Sequence, residues 1–282
     1  MKKTARLALI TALCLVFARP ASADDGDPEA LPWATGYVNL GYYVVGLDSG
    51  FRLGTDNLGI GIDINVEEFL GLDSTDTAFR LDAGYRFGKT RRHGVDFSWF
   101  GFDRDSTRQV GTEIQLPPEL GGGTIPVGTT IDSIFDFDIF KLKYRYSAFL
   151  DDRIDLNVGT GLYVMPIEYG LRELGGKFTK EDITAPLPVI SVGFDLAITP
   201  KWFLRQGLDL MYLKLGDFEG RIMDTHLAVE YRGWKNVALG AGIDGILVKI
   251  DAEDETDYPG IDMVGVVKFS YIGALAYVKF YY

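Results

Sequence analysis

The stretch that decides the fold is the end of the chain, MVGVVKFSYIGALAYVKFYY, residues 263–282. Apolar side chains recur there at every second position: Ile272, Ala274, Ala276, Val278, Phe280 and Tyr282. Smaller or more polar residues lie between them: Gly273, Tyr277, Lys279 and Tyr281. Because successive side chains of a β-strand point to opposite faces, the pattern predicts a strand with one apolar face. No later segment covers that face, so it needs either a partner sheet or lipid.

The first residues of the chain predict export from the cytoplasm. A basic head, an apolar run and a small-x-small site follow one another: Lys2, Lys3 and Arg6, then residues 7–18, then Ala21-Ser22-Ala23. This order is typical of a secretory signal peptide, here cleaved near Ala23. An apolar run of about a dozen residues is too short to cross about 30 Å of hydrocarbon. No other stretch is long and apolar enough to predict a membrane-spanning helix.

Composition does not decide whether the protein lies in water or in lipid, but it argues against nucleic acid as a partner. The chain has 282 residues, of which 47% are apolar and 13% aromatic, enough for a large soluble core as well. Its one cysteine, Cys14, lies in the signal peptide, so the mature chain forms no disulfide. The mature chain has 24 basic and 40 acidic residues, a net charge of −16. So acidic a chain is a poor ligand for nucleic acid, and we expect no such partner.

Ten segments of alternating residues make up the mature chain, and helical periodicity is not evident. The predicted strands lie near 36–47, 77–88, 94–105, 135–149, 153–165, 185–198, 202–214, 222–232, 236–249 and 263–282. Four links are short, at 88–94, 151–153, 199–201 and 232–236, and they alternate with links that include two long ones, at 48–76 and 106–132. An up-and-down meander collects its short turns at one end, as bacterial outer-membrane barrels do.

The prediction is therefore an all-β fold, a transmembrane antiparallel up-and-down β-barrel of about ten strands (between about 8 and 12), with short periplasmic turns and long extracellular loops. Its parts are a signal peptide at 1–23, a short N-terminal periplasmic segment at 24–35 and the outer-membrane barrel at 36–282. The expected location is the cell outer membrane, reached after cleavage of the signal peptide near Ala23.

The two faces of the predicted strands differ in charge. In 77–88, for example, Phe79 and Tyr85 alternate with Arg80 and Arg86. Alternation alone does not say which face is inside, so a secreted two-sheet sandwich remains the alternative fold. The signal peptide, the sorted loops and the terminal strand favour lipid outside, since a closed barrel has no exposed edge. Aromatic residues near the short turns also fit an interfacial girdle: Tyr85, Phe87, Tyr146, Phe149, Trp202, Tyr231, Trp234, Phe280 and Tyr282.

One predicted strand, 135–149, has apolar residues in both phases. Phe140 and Leu142 set one phase, whereas Phe135, Phe137 and Ile139 occupy the other. A bulge near Ile139 would switch the faces. The interpretation we prefer is that the upper part of the strand projects beyond the hydrocarbon, because 139–149 alone is long enough to cross it.

With its strands placed, the chain resembles the uncharacterised small outer-membrane β-barrel proteins of Gram-negative bacteria. The residues that carry the resemblance are 71–73, 85–87, 95–99, 135–138 with Lys141-Leu142, 197–202 and 279–282. The resemblance implies the barrel fold and an assembly signal at Phe280 and Tyr282, and it carries no catalytic residue. A more distant similarity is to the outer membrane protein W type, small barrels linked to passage of small apolar molecules.

Charged residues in the inward phase predict a lumen charge network. Its expected members are Arg80, Asp82, Arg86, Asp96, Lys141, Lys143, Arg145, Asp155, Asp195, Arg205, Asp209, Asp224, His226, Glu230 and Asp244. In a lumen little wider than its side chains, charges of both signs should pair, which gives a plug that stiffens the barrel. The alternative is a narrow polar conduit, in which glycines on inward positions leave room for water: Gly159, Gly161, Gly207, Gly240 and Gly242.

An enzyme is the weaker interpretation. Omptin proteases are ten-stranded barrels that pair Asp with His two residues on, a spacing also found in Asp224-Thr225-His226, and Asp136-Phe137-Asp138 is similar to their paired carboxylates. The flanking sequence is not omptin-like. Barrel lipid hydrolases need a Ser close to a His, and neither His93 nor His226 has an evident one. We therefore expect no catalytic residues, no cofactor and no metal site.

The expected function is structural, or narrow porin-like passage of small solutes through a charged lumen. The alternatives are an outer-membrane barrel enzyme, either an omptin-like protease or a lipid A-modifying enzyme, and a surface adhesin or receptor acting through the extracellular loops. The expected partners are outer-membrane lipid and lipopolysaccharide, the barrel assembly machinery with periplasmic chaperones, and a small-molecule solute.

Overall fold

The computed structural model describes residues 32–53, 62–65, 73–109, 111, 114–116, 123–173, 179–216, 218–252 and 265–282. The strands in these residues are β1 (Gly36–Leu53), β2 (Ile62–Asn65), β3 (Thr75–Phe87), β4 (His93–Gln109), β5 (Ile114–Leu116), β6 (Gly123–Ile125), β7 (Thr130–Leu150), β8 (Ile154–Glu173), β9 (Thr179–Ala197), β10 (Trp202–Leu215), β11 (Phe218–Tyr231), β12 (Val237–Ala252) and β13 (Gly265–Tyr281). None of the described segments is a helix long and apolar enough to cross a membrane. The predicted signal peptide and most of segment 24–35 lie outside the described residues.

Ten of these strands close into an antiparallel barrel, which confirms the predicted fold class. Each strand pairs with the next around the ring, in the order β1, β3, β4, β7, β8, β9, β10, β11, β12, β13. The ring closes because β13 pairs with β1 along its whole length, from Tyr37 opposite Tyr281 to Leu53 opposite Gly265. The short strand β2 pairs with the upper end of β1, and β5 and β6 form a separate hairpin. Both ends of the barrel-forming chain, Gly36 and Tyr282, lie at the short-turn end and are joined by backbone hydrogen bonds.

The side chains on the two faces of the barrel wall change in polarity part of the way along the strands. Near the short turns the inner face is charged and the outer face apolar, and farther along the strands the reverse holds. On β12 the outward residues Leu239, Ile243 and Leu247 are about half exposed, and Lys249 and Asp251 follow them. Inward, Asp244 is followed by buried Ile246, Val248 and Ile250. We call the part from the short turns to the level of Leu247 the lower half and the part beyond it the upper half. The lower half is apolar outside and charged inside, whereas the upper half is built like a soluble protein.

The lower half has the height of a membrane. On β12 the apolar outer face runs from Val237 to Leu247, and on β10 it runs from Trp202 to Tyr212. Each is about eleven residues, the length that a tilted strand needs to cross the hydrocarbon. Trp99 marks the upper limit on β4, where its indole N–H donates to Asp138 Oδ1 over 3.0 Å. The upper half therefore projects beyond the lipid.

On strand β7 the inner face changes from charged to apolar although the same alternate residues point inward along the strand. Its register with β4 is unbroken through Ile139, and the irregularity in its pairing with β8 lies between Ser147 and Phe149. The bulge near Ile139 that we gave as one interpretation is therefore wrong. Phe135, Phe137 and Ile139 point inward and are buried. Lys141, nearer the short turns, also points inward and is buried. The strand does project beyond the hydrocarbon, as the preferred interpretation predicts.

The upper half divides into two facing sheets. Pairing between β3 and β4 covers Arg80–Phe87, and pairing between β9 and β10 covers Ile190–Ala197; above these levels the described residues form no ladder across either seam. One cause is Pro188, which has no N–H to donate and lies just above Ile190. The two sheets pack through their aromatic inner faces, with ring centroids 5.9 Å apart for Tyr43 and Phe100 and 4.6 Å apart for Phe137 and Phe269.

Candidate functional site

The lower half holds the predicted charge network, and the structure places all of its predicted members on the inner face of the barrel. They form ion pairs inside the lumen: Arg80 with Asp82 (2.9 Å) and Asp244 (2.7 Å), Arg86 with Asp155, Lys141 with Asp224, Lys143 with Asp209 (2.8 Å), Arg145 with Asp96 (3.0 Å), and Arg205 with Asp195 (2.9 Å) and Glu230 (3.2 Å). Four of these pairs join strands that are three or four apart around the ring and so tie opposite walls together: Arg80–Asp244, Arg86–Asp155, Lys141–Asp224 and Lys143–Asp209. The other pairs lie within one strand or between adjacent strands. Each charge is thereby compensated within the lumen, as burial requires.

Sequence reasoning missed one cation of this network, Lys279. Its ammonium lies 2.7 Å from Glu230 Oε2, and both side chains are buried. The signal was present, because Lys279 has the inward phase of the terminal strand, but the apolar outer face of that strand dominated its interpretation. Seven cations, those of the predicted set and Lys279, thus face the eight carboxylates of the predicted set.

Tyrosine hydroxyls, which were also missed, form the boundary between the charged and apolar parts of the interior. Tyr43 and Tyr271 donate to Asp244 Oδ1 over 2.7 and 3.0 Å. Tyr163 donates to Asp209 and Asp224. The rings of these tyrosines belong to the apolar core above. An aromatic ring with one polar end suits such a boundary, since it satisfies the carboxylates below without opening the core.

The inward glycines make room for neighbouring side chains, and two of them, Gly207 and Gly242, also line the lumen cavity. A Cβ at Gly207 would overlap the imidazole of His226, and a Cβ at Gly240 would overlap the ring of Tyr277. Lys143, Ala228 and the backbone of Tyr144 take the space beside the remaining three glycines of the predicted set. These glycines therefore serve close packing in the lumen.

The omptin-like residue pairs do not come together. Asp136 and Asp138 point outward on β7, whereas Asp224 and His226 point inward on β11. The Asp224 carboxylate accepts hydrogen bonds from Lys141 and Tyr163, and it lies beneath the apolar core. This arrangement gives the two pairs no common substrate site.

A polar cavity of about 180 Å³ remains between the ion pairs. Trp33 lies at its lower end and is 3% exposed, and Phe100 lies above it, with Arg80 and Lys141 over the ring at 5.2 and 5.1 Å. Asn39 Oδ1 and Arg205 Nε line this cavity, are buried and have no hydrogen-bond partner among the described residues. The cavity is therefore polar, and its volume has room for on the order of ten water molecules.

Among the described residues, the interior of the upper half is mainly apolar, although Arg104 and Ser133 are buried there as well. Its inward residues form one buried cluster that includes Tyr43, Phe100, Phe102, Phe137 and Phe269, each at most 6% exposed. Ile125, from the hairpin strand β6, joins the same cluster. Side chains thus fill the barrel above the cavity in the described part of the chain.

Comparison with known proteins identifies the fold alone. No protein-family model matches the sequence, and no curated protein is similar to it. The crystal structure of the outer membrane protease OmpT from Escherichia coli superposes with a TM-score of 0.54 and 7% identity, over 91% of this chain and 100% of that one. Two other proteins superpose less well, each with a TM-score of 0.36: Ail of Yersinia pestis (10% identity, 86% of this chain and 98% of that one) and Neisserial surface protein A (11% identity, 88% and 98%). The chain therefore has the fold of the small outer-membrane β-barrels, with its apolar belt facing the lipid.

Proposed function

We propose that the protein is a non-conducting outer-membrane barrel that holds its extracellular loops above the membrane. The observation that carries the proposal is the apolar cluster of the upper half, which fills the barrel where a conduit would have to continue. An ion would have to pass Phe102 and Phe137, which are 0% and 4% exposed, and shed its hydration there at high cost.

The charged lower half has a structural part in this proposal. A barrel this narrow needs inward side chains that fill it, and ion pairs that cross the lumen fix the positions of opposite walls. Apolar side chains would fill the same space, but an exported strand with two apolar faces is prone to aggregate before it reaches the membrane. The charged inner face keeps each strand amphipathic during that transit.

The proposal assigns no catalysis, because Asp224 is engaged by Lys141 and Tyr163 and His226 is enclosed beside Gly207. It retains the expected partners: lipid and lipopolysaccharide around the belt, and the assembly machinery with its chaperones at Phe280 and Tyr282. Phe280 faces the lipid in the folded barrel and is 45% exposed.

Planar-bilayer recording tests the proposal. Purified, folded protein should give no discrete conductance steps. The second candidate, narrow passage of a solute, is favoured by the polar cavity of about 180 Å³. If that candidate is correct, steps appear and Arg205→Glu changes the ion preference, whereas Lys201→Glu, an exposed change at the periplasmic turn, does not. Reproducible steps with that response would refute the non-conducting barrel.

A further inference from the structure

The segment before β1 crosses the periplasmic mouth of the barrel. β1 and β8 are four strands apart around the ring, yet Trp33, three residues before β1, donates its indole N–H to Asp151 O at the β7–β8 turn over 2.6 Å. Its ring packs edge-on against Phe203 at 6.0 Å, and the Arg205 guanidinium lies 5.5 Å from the ring centre. The indole therefore covers the floor of the cavity.

A second contact holds this segment at the same end of the barrel. Arg232 Nη1 donates to Pro32 O over 2.8 Å, and its guanidinium lies over the rings of Phe203 and Tyr281 at 4.7 and 4.1 Å. The Trp33 cluster is small, comprising Trp33, Ala197 and Phe203 with Leu150 against them. It is separate from the large apolar cluster of the upper half. The floor of the cavity thus rests on few contacts, whereas the roof rests on many.

The walls of the cavity favour uncharged molecules. All seven lumen cations already have carboxylate partners, and the seven cations and eight carboxylates nearly balance. An added ion would stand in a confined space with no free counter-charge, which is costly. Four cavity-lining polar atoms make no hydrogen bond among the described residues: Asn39 Oδ1, Ser191 Oγ, Arg145 Nε and Arg205 Nε. The two guanidinium groups already pair with carboxylates, so these positions call for hydrogen bonds rather than for a counter-ion. Water or a small uncharged hydrogen-bonding solute supplies them.

We propose that the lumen cavity is a dead-ended binding chamber for small uncharged hydrogen-bonding solutes, open only toward the periplasm, with Trp33 as its lid. The roof stays closed because the upper-half cluster is deep, and the floor opens because displacing one indole uncovers the cavity. The dead end of the chamber rests on the proposed function, because both require a closed upper half, whereas the lid is tested independently of it by the labelling rates.

The absence of cysteine from the mature chain allows a direct test. Ser191→Cys puts a reporter thiol on the cavity wall, and Thr90→Cys puts a reference thiol on an exposed periplasmic turn. The probe is methyl methanethiosulfonate, which is small and uncharged, and the rate at position 191 is measured relative to position 90. Trp33→Ala should raise this relative rate at least about tenfold, the factor that corresponds to one lost hydrogen bond of ordinary strength.

Matched variants separate the lid from general loosening. Trp234→Ala removes a tryptophan that is 59% exposed at the same end of the barrel, and it should leave the relative rate unchanged. Arg232→Gln keeps Trp33 but removes the contact to Pro32, and it should raise the rate as well, so it decides the question if Trp33→Ala does not fold. Heat-dependent gel mobility shows whether each variant is folded. Equal rates with and without the indole, whether both fast or both slow, would overturn the lid.

Charge selectivity and conductance complete the test. In the Trp33→Ala background, cationic and anionic methanethiosulfonates should label position 191 at least about tenfold more slowly than the uncharged reagent, because the lumen offers an added charge no counter-ion. Equal labelling by all three reagents would refute the preference for uncharged solutes. Trp33→Ala should also remain silent in planar bilayers; steps there would refute the closed upper half while leaving the lid in place.

Discussion

Removing the carboxylate of Asp155 is the sharpest perturbation of the lumen network. Asp155 is 0% exposed, and its Oδ2 pairs with Arg86 Nη2 across the lumen. Arg86, itself 5% exposed, has as its other hydrogen-bond partners among the described residues two neutral oxygens, Ser147 Oγ at 3.2 Å and Arg91 O at 3.5 Å. Asp155→Ala thus leaves a buried guanidinium without its anion.

The expected magnitude follows from this geometry. Breaking a buried pair by removing one partner costs about 3 to 5 kcal/mol. Asp195 lies directly opposite Asp155 in the β8–β9 ladder and partly compensates the guanidinium. We therefore expect a loss near the lower end, about 3 kcal/mol in the free energy of unfolding. Replacing both partners by apolar groups of similar volume, Arg86→Met with Asp155→Leu, should return stability to within about 1 kcal/mol of the wild type, because no uncompensated charge remains.

Urea unfolding in phospholipid vesicles, followed by tryptophan fluorescence, measures these differences. Arg221→Met, which removes an exposed cation paired with Glu219 outside the barrel, is the matched control and should leave the midpoint unchanged. Arg86→Met and Asp155→Leu are also measured singly. A double variant whose loss of stability equals the sum of these two single losses would refute the reasoning. It would mean that Arg86 and Asp155 contribute independently rather than as a compensating pair.

Two further predictions test the division into halves. Ile243→Arg, at the middle of the lipid-facing stretch of β12, should lower the free energy of unfolding in vesicles by about 2 to 4 kcal/mol. Thr75→Arg, on the outer face of the upper half, should change it by no more than about 0.5 kcal/mol; equal losses would place the lipid boundary elsewhere. Phe102→Ala should lower the free energy of unfolding by about 3 to 5 kcal/mol. Val127→Ala, at a site that is 62% exposed, should lower it by no more than about 0.5 kcal/mol. If Phe102→Ala leaves the urea midpoint unchanged, the upper half is not a packed core.

Much of the fold could be predicted because strand periodicity is local. The alternation from Ile272 to Tyr282, and the sorting of short turns such as 151–153 to one end, do not depend on distant contacts. The same alternation predicted which charged residues point into the lumen, although it did not predict their partners. The assembly role of Phe280 and Tyr282 stays a prediction, as do the domain boundaries before Pro32.

The partners of each charge could not be predicted, because they depend on which walls face one another across the ring. Lys141 on β7 meets Asp224 on β11, and Arg86 on β3 meets Asp155 on β8, at sequence separations of 83 and 69 residues. The crossing of Trp33 beneath the lumen is equally non-local, since it depends on where the β7–β8 turn comes to lie.

The amino-acid order alone determined that about ten strands each have two unlike faces, because the two faces of a strand are set by adjacent residues. Only the tertiary structure decided where lipid ends. Phe135, Phe137 and Ile139 share a phase with Lys141, and a one-dimensional pattern does not distinguish apolar residues that face lipid from those that face a core. Closure of the barrel makes this distinction, because it places all four of these side chains inside.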